Sequence, residues 1–393
     1  MEKRIKISGS SNLESLEKAI KSFQTSNINV DLQIPLSFKA KGFGLPTFAL
    51  LLLFSWMRHK KGKLVLPVND NIIGALEDFS KTFYGYLALF TVWRHCEIVN
   101  IKGASLKPYL RQFTSTMNTN VMAISTQDLP NNEIALACFD HYSQEKGLPY
   151  WFYDADYEFK SSPGGMDDTT HALFSHLAKI FKNRLVPAFA ESATTVSNIL
   201  WELIKNTHEH ARTDGLNQVK LLPNTRGVFM KIHRSSRLNF LKDAENRGLS
   251  EYYLHFPDSQ DLFFLEISVF DSGPGLVKRF LGKSWKDDIA IIEDVDTVKK
   301  CLIKGQTSIE GAKGDKKGYG LDSVLKLLSE KRGFLSVRTG RVWLYRDLIA
   351  TPYIRTQNFN EIQLYDWGTN SDSDYTKFSN TDGTLITLAL PLT

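Results

Sequence analysis

The stretch 262-LFFLEISVFDSGPGL-276 decides how the second half of this chain reads. From Leu262 to Phe270 the residues are mostly apolar, as in a buried strand. The run stops abruptly at Asp271, with Gly273 and Gly275 directly behind it. An aspartate emerging from a strand end can accept a hydrogen bond from an exocyclic amine. Glycines beside it let a flat ring approach the backbone.

Upstream, 194-TTVSNILWELIKNTHEHA-211 has apolar or small residues at Val196, Ile199, Leu200, Leu203, Ile204 and Ala211, a helical spacing with one buried stripe. Glu202, Asn206 and His210 then fall i, i+4, i+8 on one line of the helix. His208 and His210 stand roughly 200° apart around the axis and cannot share a metal from a regular helix, which sets zinc aside. A glutamate and an asparagine one turn apart, about 5–6 Å, suit a different chemistry. The carboxylate can activate a water for attack on a phosphoryl group, and the amide oxygen is a neutral hard ligand for Mg²⁺.

Downstream, 310-EGAKGDKKGYGLDSVLKLL-328 carries Gly314, Gly318 and Gly320 into a helical pattern that starts at Leu321, with Lys316 and Lys317 adding positive charge. Backbone amides at such a helix start are available to phosphates. Last, 380-NTDGTLITLALPL-392 joins Gly383 and Thr384 to a closing strand of alternating apolar residues.

These four elements, in this order over about 220 residues, resemble the GHKL or Bergerat-fold ATPases, the group of gyrase-type topoisomerases, sensor histidine kinases and anti-sigma serine kinases. The resemblance implies ATP and Mg²⁺ as cofactors. It implies Glu202 as the general base, Asn206 as the metal ligand and Asp271 as the reader of adenine. Gly273 and Gly275 would lie beside the base, and Gly314, Lys316, Lys317, Gly318, Gly320 and Leu321 would hold the phosphates. The Thr384 hydroxyl would support Asp271. Residues 277–317 would form an ATP lid, with Thr307 and Ser308 as phosphate contacts. The implied fold for 165–393 is an α/β sandwich whose mixed, largely antiparallel sheet is covered by helices on one face. Two stretches exceed a compact member of the group, about 25 residues after "GVFMKIH" and the segment 341–382; both are candidates for a partner surface.

Ahead of the breaker "SSPGG" the pattern differs. "INVDLQI" reads as a strand, Pro46 to Arg58 as a helix, "KLVLPV" as a strand and "ALEDFSKTFYGYLALFTVWRH" as a helix. Together they predict a small α/β layer over 1–155. The run from "NINVDLQI" to "KLVLPV" resembles the STAS-like modules of bacterial regulators, although the Lys39–Gly44 turn lacks their phosphorylatable serine or threonine. The basic cluster Arg58, His59, Lys60, Lys61 and Lys63 reads as helix C-terminus and solvated turn. His171 and His176 lie five apart, lack the context of a phospho-accepting histidine, and read as surface or capping residues.

With 42% hydrophobic side chains in 393 residues, the chain can bury a sizeable core. The net charge of +5 demands no polyanionic partner, and no basic, aromatic-interleaved reader motif indicates nucleic acid. Three scattered cysteines, Cys96, Cys138 and Cys301, and a polar N-terminus fit a cytoplasmic setting. "FALLLLFSWM" is about half the ~20 residues a membrane span needs. Three readings of function stay open: an ATPase acting as a conformational or dimerisation switch with a protein partner or a second copy, an anti-sigma-like serine/threonine kinase, and an ATP-binding scaffold without turnover.

Overall fold

The computed structural model describes residues 3–38, 42–59, 61–68, 72–114, 132–181, 184–303 and 320–392. Strands β1 (Lys3–Lys6), β2 (Val30–Gln33), β3 (Lys61–Leu66) and β4 (Ile98–Asn100) form a sheet in that order, parallel throughout. Sequential parallel strands joined by crossovers of one hand send every connecting helix to the same side. Those helices are α1 (Leu13–Gln24), α2 (Leu45–His59), α3 (Ile72–Lys81) and α4 (Phe83–Val92). The single helix expected over 75–95 breaks between α3 and α4. Thr82 caps the second helix by accepting from the Gly85 amide at 3.0 Å, and Gly85 lies so close to the Phe79 carbonyl that no Cβ would fit.

Every residue of α2 from Leu45 to Met57 except Pro46 is buried, and so is all of α4. A helix apolar on every side needs cover on every side. The second cover is a seven-stranded sheet ordered β10-β9-β8-β11-β7-β6-β5, antiparallel at each pairing. Its strands are β5 (Glu133–Phe139), β6 (Thr225–Ser235), β7 (Leu262–Asp271), β8 (Phe334–Gly340), β9 (Val342–Asp347), β10 (Tyr365–Asp366) and β11 (Thr381–Pro391). The pleat sends alternate side chains to opposite faces. Phe229, Phe264, Phe270, Phe334 and Leu385 join α1, α2 and α4 in one core, where Phe83 stacks on Phe229 at 4.3 Å and Phe48 on Trp343 at 5.0 Å. Val228, Ile267, Val269, Val337 and Leu388 join a second core on the other face. That core holds α5 (Asp167–Phe181), α6 (Val186–His210) and α11 (Gly320–Glu330). The expectation of helices on one face is thus corrected: this sheet is covered on both.

The boundary near 155–165 is also corrected. β5, from ahead of it, pairs with β6 over seven residues and closes one edge of the large sheet. The expected linker 151–166 is packed, with Phe152, Tyr153 and Met166 in the second core and the Trp201 indole donating to the Lys160 carbonyl at 2.8 Å. His176, read as a surface or capping residue, is 6% exposed.

Both long additions turn inward. The first forms α7 (Arg237–Asp243) and α8 (Arg247–Leu254), which bury Phe240, Leu249, Tyr252 and Tyr253 in the core between the sheets. Between them the Glu245 carboxylate accepts from the Leu13 amide at the start of α1, 2.7 Å away. The second addition stacks Trp367 on Trp343 at 4.7 Å. At its end the Ser379 amide donates to Glu17 of α1 at 2.8 Å. No described helix is long and apolar enough to cross a membrane.

Candidate functional site

Helix α6 buries Val196, Ile199, Leu200, Leu203 and Ile204 and leaves Glu202 and Asn206 half-buried. Both reach toward the first residue of α11. A Cβ built on Gly320 would lie 2.8 Å from Glu202 Oε2 and 3.4 Å and 3.6 Å from the amide atoms of Asn206. The absence of a Cβ at Gly320 lets a carboxylate, an amide and the start of α11 meet closely. The side chains of Glu202 and Asn206 make no hydrogen bond among the described residues. Burial pushes the Glu202 carboxyl up, with Lys205 opposing and Glu209 adding to the shift. A raised carboxyl is a better proton acceptor near neutral pH.

The second wall is the turn after β7. Asp271 is 7% exposed and accepts from the Gly273 amide at 2.8 Å. Burial raises its carboxyl to about 6, against the amides of Gly273 and Thr384 and the charges of Arg226 and Arg58. Gly273 abuts Ala211, the residue that ends α6; a Cβ on it would come within 2.6 Å of the Ala211 Cα. Gly275 and Gly383 take φ of +85° and +88°, where a side chain is strained, and a Cβ on Gly383 would collide with the Asp271 carbonyl. Thr384 sits opposite Asp271 in the β11–β7 register. Its amide opposes the rise of the Asp271 carboxyl, and its hydroxyl is 3.2 Å from that of Thr339.

Leu321 begins the buried stripe of α11 and packs in the second core. Thr307, Ser308, Gly314, Lys316, Lys317 and Gly318 lie outside the described residues. Of the lid expected over 277–317, only 277–303 falls within the described residues. Helices α9 (Leu276–Leu281) and α10 (Ile291–Cys301), with the two residues that follow α10, bury Val277, Val295, Val298, Leu302 and Ile303. The Arg341 guanidinium also holds Asp294 at 2.7 Å, both side chains nearly inaccessible. A segment with that much core is anchored to the sheet, so the described part of the expected lid, 277–303, is not a free cover.

Three residues at this site escaped the sequence reading. Thr339 accepts from the Leu276 amide at 2.9 Å and so joins β8 to the glycine turn. Arg226, fully buried, faces Asp271 from the neighbouring strand and pairs with Asp140 at 2.8 Å and 2.9 Å. Arg58, read as part of a solvated cluster, is instead largely buried. It donates to the Ser272 carbonyl and lies 3.9 Å from Asp382, which His59 also pairs with at 2.5 Å. The Asp382 amide donates to Ser55 Oγ at 2.9 Å, and Thr91 of α4 meets Thr225 hydroxyl to hydroxyl at 2.8 Å. The N-terminal helices thus touch both turns that flank Asp271. Only the basic character of Arg58 at the end of an apolar helix hinted at this.

His208, set aside as a metal ligand, has a structural role. Its ring hydrogen-bonds the Tyr153 hydroxyl at 2.9 Å and stacks on Phe159 at 5.3 Å, clamping the 151–159 segment to α6. Comparison of the chain with protein-family models, curated proteins and solved structures finds no significant match.

Proposed function

We propose that this chain is a Mg-ATP-binding ATPase of the GHKL type, with a STAS-like α/β module ahead of it, and that nucleotide occupancy works a conformational or dimerisation switch. The observation that carries the reading is the meeting of Glu202, Asn206 and Gly320 at the start of α11, with no hydrogen bond made by the two side chains among the described residues. A glycine-opened helix N-terminus beside a carboxylate and an amide suits a triphosphate and its metal. Asp271, at the strand end and accepting from the Gly273 amide, suits the exocyclic amine of adenine.

In this reading Glu202 takes the proton of the attacking water as its oxygen bonds to the γ-phosphorus and the bond to ADP breaks. Mg²⁺ held by Asn206 would supply charge neutralisation on the phosphates. Arg58, Ser55 and Thr91 give the N-terminal half direct contact with the two turns beside Asp271, which favours a switch over a passive scaffold.

The test is incubation of the purified protein with γ-labelled ATP and Mg²⁺. Released phosphate supports hydrolysis, and label on protein supports the kinase alternative. Glu202→Ala should abolish either while sparing nucleotide binding. Turnover unchanged in Glu202→Ala would remove the assignment of the base.

A further inference from the structure

A second cleft, of ≈ 230 Å³, opens at the C-terminal end of α4, lined by none of the described residues assigned to ATP. Its walls carry three aromatic rings, Phe90, Trp93 and Tyr142, and three cations, Arg94, Arg111 and Lys146; among the described residues no carboxylate lines it. The aromatic wall is held in place. The Tyr142 hydroxyl donates to the Phe90 carbonyl at 3.1 Å, and a ring nitrogen of His141 lies 3.3 Å from the same oxygen. The Arg94 guanidinium lies 4.8 Å over the Tyr142 ring, and the Lys107 ammonium 5.9 Å over Trp93.

Among the described residues, none of Arg94, Lys107, Arg111 or Lys146 makes an ion pair. Their field is felt next door. Burial, His141, Lys61, Arg94 and Lys107 together push the His95 imidazole down to about 4. Positive charge with no ion-pair partner among the described residues, set around an aromatic cleft, is the complement of a planar ring bearing an anion. A cleft of this size has no room for a run of stacked bases.

We propose that this cleft binds a nucleotide, with the base against Trp93 and Tyr142 and the phosphate taken by Arg94, Arg111 and Lys146. The same chemistry is offered by a free mononucleotide and by the phosphorylated end of a single strand. The size of the cleft favours the free mononucleotide.

The experiment is calorimetric titration of the full chain with AMP, with inorganic phosphate and with a short 5′-phosphorylated oligothymidylate, each in wild type and in Asp271→Asn. Asp271→Asn isolates this cleft from the proposed ATP site, so failure of one assignment is distinguishable from failure of the other. AMP should bind Asp271→Asn as it binds this cleft in wild type. The double variant Arg111→Glu/Lys146→Glu, both residues exposed, should weaken AMP about tenfold or more. Trp93→Ala should weaken AMP while leaving inorganic phosphate unchanged. Oligothymidylate binding more tightly than AMP, and lost in the same variants, would keep the chemistry and name a strand end as the source. Loss of all AMP binding in Asp271→Asn, indifference to the charge reversals, or phosphate binding as tightly as AMP would each overturn the proposal.

Discussion

Replacing Asp271 by asparagine tests the nucleotide reading and the electrostatics of the β7 turn together. The carboxyl is raised from 3.8 to about 6 because it is buried, and the flanking amides and arginines only partly offset this. A folded-state pKa above the unfolded value means that the folded protein holds this proton more tightly than the unfolded chain does. The contribution to stability is therefore complete below pH 3.8 and lost as pH rises through about 6. At 1.36 kcal/mol per unit, the ionised carboxylate at pH 8 costs the fold about 3 kcal/mol. Asparagine is neutral throughout, so Asp271→Asn should melt a few degrees above wild type at pH 8, and the gap should narrow to about half by pH 5 and close only below pH 3.8. Nucleotide binding should move the other way. A charge-assisted acceptor for the exocyclic amine is worth about 1.5–3 kcal/mol, so the variant should bind a fluorescent ATP analogue roughly 10- to 100-fold more weakly at pH 8. Wild-type affinity should fall as pH drops through about 6, and the variant should show no such fall. ATP affinity equal in the two proteins at pH 8 would refute the placement of adenine at Asp271. A variant less stable than wild type at pH 8 would refute the electrostatic account.

Other perturbations reach neighbouring parts of the argument. Gly320→Ala puts a methyl 2.8 Å from Glu202 Oε2 and should lower ATP turnover by an order of magnitude or more with little loss of thermal stability, read by phosphate release and melting. Arg58→Met removes the donor to the Ser272 carbonyl and the charge beside Asp382. It should destabilise the protein by about 1–3 kcal/mol in denaturant titration and weaken ATP binding. Arg341→Met strands the buried Asp294 carboxylate and should cost about 3–5 kcal/mol at pH 8, with part recovered in acid as the lone carboxyl takes a proton.

Much of the local structure was legible because it is written within a few residues. The stripe from Val196 to Ile204 gave a helix with Glu202 and Asn206 on one line, and the apolar run ending at Asp271 gave a strand with a turn behind it. Gly383 and Gly275 were visible as glycines in a turn; that each needs positive φ beside Asp271 or Thr339 was not. The all-apolar α2 was readable as buried, but what buried it was not. Nothing in the pattern of 45–59 distinguishes the interior of one domain from the space between two sheets.

The sequence by itself determined the residue types and the local geometry: a carboxylate and an amide one helical turn apart, an aspartate at a strand end, and a glycine at a helix start. The tertiary structure alone decided that Gly320 meets Glu202 and Asn206, more than a hundred positions away. It also decided that β5 belongs to the large sheet and that Arg58 faces the Asp271 turn. Helical and strand periodicity are short-range consequences of backbone sterics and side-chain burial, and so can be read along the chain. Sheet-edge pairing and helix-to-turn docking depend on which hydrogen-bonding groups and apolar faces elsewhere still lack a partner, and only the closed fold settles that.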